Sequence, residues 1–334
     1  LTYNCNSTTN LQKTAAPLSD KKANKLFLLL RISGAIVVLV ILFQVAEIET
    51  VRSNLTQAEW IWIFWASVIT VLTPLLGSIR LKLFLEASGV VFSYWRCIQV
   101  SLCALSLNLL LPARGGDLAK IALLRSGKQG PSWNTLMGAA FLERGFDVVA
   151  LGLVGLTTAL ALEATGAAIA SGIGTAAGAT GILCLPKVGT LPLVGKRLTP
   201  IAQVTSAAYR CKRILLLASI MACLFWIMVS TIMGCLFQAF DRNLTLAHAF
   251  AVTPPSILAG IVPVSLWGVG TRDGALAYFL QDFTQTENAI SAGFLYTALV
   301  YWLLGLIGLP ALFLAKRKTK DMTDESPESN ASND

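Results

Sequence analysis

Apolar and polar positions fall along the chain in long blocks. Residues 26–46 form a mostly apolar run of 21 positions, about 31 Å as a helix and long enough to cross a hydrocarbon core. Comparable runs lie at 60–79, 137–160, 164–185, 214–236 and 289–315, so the pattern predicts six full spans. Two weaker runs, 97–111 and 254–267, hold 15 and 14 residues. The first contains Gln99 and Asn108, and the second contains Pro254, Pro255 and Pro263. Runs this short are predicted to be re-entrant. The expected fold class is an all-α polytopic membrane protein with about six transmembrane helices and two re-entrant or broken elements.

The distribution of Lys and Arg decides between topologies. With six spans, two re-entrant elements and a cytoplasmic N-terminus, 21 basic residues lie on the cytoplasmic side and three outside. Arg80 is counted among the cytoplasmic ones, just past the 60–79 run. If both weak runs crossed fully, the count would be 12 on each side. The positive-inside rule therefore selects the re-entrant arrangement. It makes the two broken elements enter from opposite faces, as an inverted repeat would.

Composition supports this class. The 334 residues are 55% hydrophobic and 13% charged, with a mean hydropathy of +0.67. A net charge of +8 could suggest nucleic acid, but the basic residues flank apolar runs, so no nucleic-acid partner is expected. The seven cysteines form no C-x-x-C pair, and His248 is the single histidine. No metal site and no cofactor are expected. Residues 1–25 and 316–334 are predicted to be disordered cytoplasmic tails around a 26–315 membrane domain. Within that domain, Gly166, Ala170, Gly174 and Gly178 form a stripe that would let another helix come close. The basic 186–213 loop is expected on the anionic cytoplasmic leaflet.

Three clusters place charge among apolar residues. The first is Leu111-Pro112-Ala113-Arg114-Gly115-Gly116-Asp117. Its glycines let the backbone turn, and Asp117 is expected to N-cap a helix starting at Leu118. An exposed helix N-terminus beside Arg114 would suit a phosphate. The second, Gly268-Val269-Gly270-Thr271-Arg272-Asp273-Gly274, echoes the first, with Ser265 as a nearby hydroxyl donor. The third is Glu143-Arg144-Gly145-Phe146-Asp147. Glu143 and Asp147 share a helix face, and Arg144 is placed to pair with Asp147. For each cluster the alternative is a purely structural ion pair or capped loop.

These three segments, in this order, resemble the lysylphosphatidylglycerol synthase transmembrane-region family of flippase-like membrane proteins, over about residues 26–315. The resemblance implies a bacterial or archaeal inner-membrane protein with paired re-entrant elements and a role in moving or handling lipids. The family pattern usually has Glu where Asp117 and Asp273 stand, often Arg at Lys120 and often a small residue at Trp267. Some relatives carry an added lysyl-transferring domain, and lysyl transfer is not expected of this chain.

The reading that follows is a lipid translocase acting on phospholipids with anionic head groups. Its expected substrate-binding residues are Arg114, Gly115, Gly116, Asp117, Glu143, Arg144, Asp147, Ser265, Gly268, Gly270, Arg272 and Asp273. Transport is favoured over a chemical reaction, with no catalytic residue assigned. Two alternatives stand beside it: a membrane transferase using Asp117, Glu143 or Asp273 as base or metal ligand, and a non-catalytic membrane partner of a separate synthase. A homo-oligomer is compatible with any of these.

Overall fold

A computed structural model describes residues 53, 56–110, 115–125, 130–190, 195–261 and 268–324. The predicted span 26–46, the 1–25 tail, Arg114, Ser265 and the side chain of Asp117 lie outside the described residues. Those that are described are helical, with no strand among them. In chain order the helices are α1 (Trp60–Ala87), α2 (Tyr94–Leu110), α3 (Gly115–Arg125), α4 (Trp133–Ala161) and α5 (Thr165–Cys184). A 3₁₀ turn, Leu185–Thr190, leads to α6 (Gly195–Ala208), α7 (Lys212–Phe240), α8 (Leu246–Ile261) and α9 (Thr271–Leu280). Helix α10 (Thr286–Thr297) then passes through a π-helical segment, Ala298–Leu303, into α11 (Leu304–Asp324).

Among the described residues, four stretches are long and apolar enough to cross a membrane: Trp60–Ala87, Thr165–Lys187, Lys212–Phe240 and Thr286–Leu314. Helix α4 has 29 residues, matching α7 in length, but carries Glu143, Arg144 and Asp147 in its interior. The outward surface is apolar, with Ile61, Phe64, Leu72, Ile169, Ile173 and Leu216 exposed. Such a surface suits lipid and not water. The chain is an integral membrane protein.

The two weak apolar runs become two similar motifs. Helix α2 (17 residues) is followed by α3 (11 residues), and α8 (16 residues) by α9 (10 residues). At a 1.5 Å rise, α2 and α8 reach only about 24–26 Å, short of the ~30 Å core. Each long member packs against its shorter partner. Helix α8 starts at Leu246, earlier than the apolar run suggested, and continues through Pro254 and Pro255.

Several predicted boundaries move. Helix α1 runs on to Ala87, eight residues beyond the apolar run, and ends in a glycine turn. Gly89 has φ +82°, and Val90 N–H donates to the Leu85 carbonyl at 2.9 Å. The 186–213 segment is not an open loop, because the 3₁₀ turn and α6 pack on each other and α6 packs on α4. Helix α11 continues to Asp324, into the segment predicted as a disordered tail.

The main core joins α1, α4, α5, α7, α8, α9 and α10 around Phe237, Leu236, Met233 and Leu276. A second core joins the end of α1 to α2, α3 and the start of α4. A third, around Phe84 and Leu142, takes in α6 and the start of α7. The small-residue stripe on α5 acts as expected at two positions. A Cβ at Gly178 would crowd Val148 and Val149 of α4, and one at Gly174 would collide with Leu258 of α8. At one end of the bundle, Glu59 N–H donates to the Ala239 carbonyl at 3.0 Å, and Arg242 pairs with the Glu59 carboxylate.

Gly178→Leu should overpack the α4–α5 contact and cost about 1–3 kcal/mol, read as a lower melting temperature in detergent. The Arg242 guanidinium holds the Glu59 carboxyl below the usual carboxylate range. Its depressed pKa means that the contribution is present above the ordinary carboxylate pKa and is lost as the pH falls through the folded-state value. Acid should therefore loosen the Glu59 end first, and Arg242→Ala should remove that pH dependence in hydrogen exchange.

Candidate functional site

The site is arranged around Arg80. It lies about 30 Å along α1, well inside the helix, and is 5% exposed. Its Nη1 donates to Asp147 Oδ1 at 2.5 Å and its Nη2 to Glu143 Oε1 at 3.1 Å. One planar guanidinium spans both carboxylates because they stand four apart on α4. Lys120, from α3, donates to both Glu143 oxygens at 3.0 and 3.2 Å. Arg144 Nη1 lies 3.4 Å from Asp147 Oδ2, as the three-residue spacing predicts, with its side chain 44% exposed. The Arg80 guanidinium also sits over the Phe225 ring of α7, 4.4 Å from the centroid.

This network explains how α4 carries charge in an apolar setting. One charge at a membrane-helix centre costs about 2.5–3.5 kcal/mol on insertion scales. Here cations from α1, α3 and α4 compensate the two buried carboxylates of α4. Sequence reasoning missed Arg80. The 60–79 apolar run stops there, so Arg80 counted as a cytoplasmic charge, although the helix continues for seven more residues. The available signal was on α4: two carboxylates and one Arg leave an unmatched acid. Reassigning Arg80 changes the expected cytoplasmic count from 21 basic residues to 20.

The first glycine motif differs from expectation. Helix α3 begins at Gly115, so Asp117 falls inside its first turn and is not the N-cap of a helix starting at Leu118. Gly116 N–H donates to Asn108 Oδ1 at 2.9 Å, so that donor is satisfied by α2. A Cβ on Gly116 would collide with the Ala104 carbonyl. Gly116 therefore serves the close approach of α3 to α2.

The second motif is a buried lock. Gly268 and Gly270 have φ of +77° and +95°, which L side chains rarely adopt, and bring the chain into α9. Asp273 Oδ2 accepts from Gly270 N–H at 3.4 Å. Arg272 and Asp273 are 2% and 4% exposed. Arg272 Nε donates to Asp273 Oδ1 at 2.8 Å, and Nη2 donates to that same oxygen. Nη2 also reaches the Gly293 carbonyl at 2.7 Å and Thr297 Oγ at 2.8 Å, both on α10. The guanidinium lies over the Tyr296 ring, 4.7 Å from its centroid. Arg272 thus joins α9 to the turn before the π-helix, and π segments are frequent at functional sites.

A cavity of about 210 Å³ connects the two regions. Arg80, Lys120, Glu143, Arg144 and Asp147 line one part, while Tyr296, Val300 and Tyr301 of the π region line another. Arg272 is not among its lining residues, but Tyr296, against whose ring the guanidinium lies, is. A second, more apolar cleft of about 180 Å³ shares Lys120, Glu143 and Arg144 with the first and runs between α1, α3 and α4. The structure therefore brings Glu143, Arg144 and Asp147 together at one cavity. Gly268, Gly270, Arg272 and Asp273 form a neighbouring buried cluster, and Gly115 and Gly116 lie at the α2–α3 contact.

The family model described as the lysylphosphatidylglycerol synthase TM region matches residues 28–308. The chain belongs to this family. No curated protein matches the chain. The family match spans all three charged clusters and every described helix through the start of α11.

Arg80→Ala should remove the cation shared by two buried carboxylates, leaving Asp147 with only the longer Arg144 contact, and cost about 3–5 kcal/mol, seen as lost folded yield and a lower melting temperature. The triple variant Arg80→Met, Glu143→Gln, Asp147→Asn should recover most of that loss. Gly293→Ala should push into the Asp273 carboxylate and lower stability in the same assay.

Proposed function

We propose that this family member is a lipid translocase of the inner membrane. It has six full spans, two re-entrant hairpins in an inverted repeat, and cytoplasmic termini. It acts on phospholipids with anionic head groups. The observation that carries the reading is the cavity within the helical bundle, whose wall joins the α1–α3–α4 ion network to the π segment beside the Arg272 lock. A polar cavity inside an apolar bundle offers a head group a path that the bilayer core does not.

The near-equal lengths of the two short-helix pairs support the inverted repeat, with sites at the repeat interface. Arg114, Asp117 and Ser265 are proposed as further head-group contacts. Arg272 and Asp273 take a positioning role, because their bonds tie them to α10. The family's description names a synthase, so the chain's partner would be an enzyme that modifies lipid. Direct catalysis is less well supported, because Glu143 and Asp147 are each held by cations and neither is presented as a free base.

Proteoliposomes containing the full chain and a fluorescent phosphatidylglycerol should show faster lipid movement between leaflets than empty vesicles. Arg144→Gln, at a partly exposed side chain, should reduce the rate at least about tenfold with little change in melting temperature. Movement equal to that in empty vesicles would refute the reading. Arg272→Ala should lose folded protein as well as transport, because it leaves Asp273 buried and unpaired.

A further inference from the structure

We infer that α8 holds, at its two prolines, a site for a small monovalent cation, Na+, where it meets α5 and α7. The site lies outside the ion network around Arg80 and would give the protein an ion-binding function. Three observations carry it.

The first is a departure from how hydroxyls are kept in apolar helices. A buried Ser or Thr commonly bonds a carbonyl one turn back on its own helix. Thr70, Ser78 and Ser256 do so. Every other buried Ser or Thr among the described residues also bonds a backbone carbonyl, with three exceptions. These are Ser171 on α5, Ser230 on α7 and Thr253 on α8, each fully buried with a hydroxyl oxygen that has no partner. Buried hydroxyls left unmatched are costly, and these three belong to helices that share one core.

The second is placement. A Cβ on Gly234 of α7 would meet Leu246 and Ala249 of α8. The two helices are joined through residues 241–245 and run antiparallel, so one turn further from that connection Ser230 stands opposite Thr253. From the other side, a Cβ on Gly155 of α4 would fall 2.5 Å from Ser171 Oγ and 2.8 Å from Pro254 Cβ. The three hydroxyls thus flank one turn of α8.

The third is the backbone of that turn. Pro254 and Pro255 have no N–H, so the carbonyls of Phe250 and Ala251 lose their usual helical donors. Hydroxyls and carbonyls released from a helix are the neutral oxygens that hold Na+ at interrupted membrane helices. Helices α5, α7 and α8 contain no Asp or Glu, so the charge of a divalent ion would go uncompensated there. The close helix approach at Gly155 and Gly234 favours the smaller Na+ over K+. Val229, beside Ser230, and Ile257, one turn beyond Thr253, line the bundle cavity, so an ion held here steadies one of its walls.

The test is binding of radioactive sodium to the full chain in detergent, together with melting temperature in NaCl, KCl and choline chloride at equal ionic strength. Sodium should bind saturably and raise the melting temperature, while K+ and choline should not. Thr253→Val and Ser230→Ala should each weaken sodium binding at least about fivefold, the worth of one hydroxyl contact. Neither should lower the melting temperature in choline, because each removes an unmatched polar group. Ser219→Ala, at a hydroxyl of α7 that bonds its own helix, should leave sodium binding unchanged. Absence of saturable sodium binding would overturn the inference and mark these hydroxyls as partners of buried water. An equal response to all three salts would also overturn it, as would wild-type sodium affinity in both variants. In the proteoliposome assay a sodium gradient should speed lipid movement. Sodium binding without any lipid movement would refute translocation and leave the site standing. Lipid movement by a chain that binds no sodium would refute the site and leave translocation standing.

Discussion

The structure depends on the pairing of Arg80 with Glu143 and Asp147. In an apolar medium an isolated charge on any of these helices would oppose insertion. Together they hold α1 against α4, and Lys120 brings α3 to the same point. The ion network therefore does for these helices what apolar burial does in a soluble core. The same residues line the cavity.

The Arg272 cluster solves the same problem differently. Its guanidinium uses a neighbouring carboxylate, a backbone carbonyl, a hydroxyl and an aromatic ring. The carbonyl and hydroxyl both come from the last turns of α10, where the helix widens into π geometry. Tyr296 touches both regions: its ring lies against the Arg272 guanidinium, and it lines the cavity that Arg80, Glu143 and Asp147 also line.

Packing around these clusters relies on small residues. Gly174 and Gly178 let α5 come close to α8 and α4, and Gly293 lets α10 approach Asp273. A Cβ at any of them meets a neighbour, so helix spacing and charge pairing depend on each other. A helix displaced by the width of a methyl group would lengthen hydrogen bonds that the buried charges require.

Much of this was legible in the chain. Apolar runs of helical length, basic residues gathered beside them, and glycines interrupting two short runs were enough for an α-helical membrane protein of this family. The four-residue spacing of Glu143 and Asp147, with Arg144 between them, was enough for a shared face and a local ion pair. These are properties of neighbours in sequence, governed by helical period and transfer free energy. The partners of those acids were not legible. Arg80 stood at the end of an apolar run and looked like an interfacial charge, and Lys120 sat in a different segment. Only the packing of α1 and α3 on α4 brings them within hydrogen-bonding distance. The same holds for Arg272, which a local reading leaves free for a ligand and the fold commits to α10. Sequence determined that the chain forms apolar helices of membrane type; tertiary structure decided which charges meet among them, because pairing across helices depends on their approach and not on chain order.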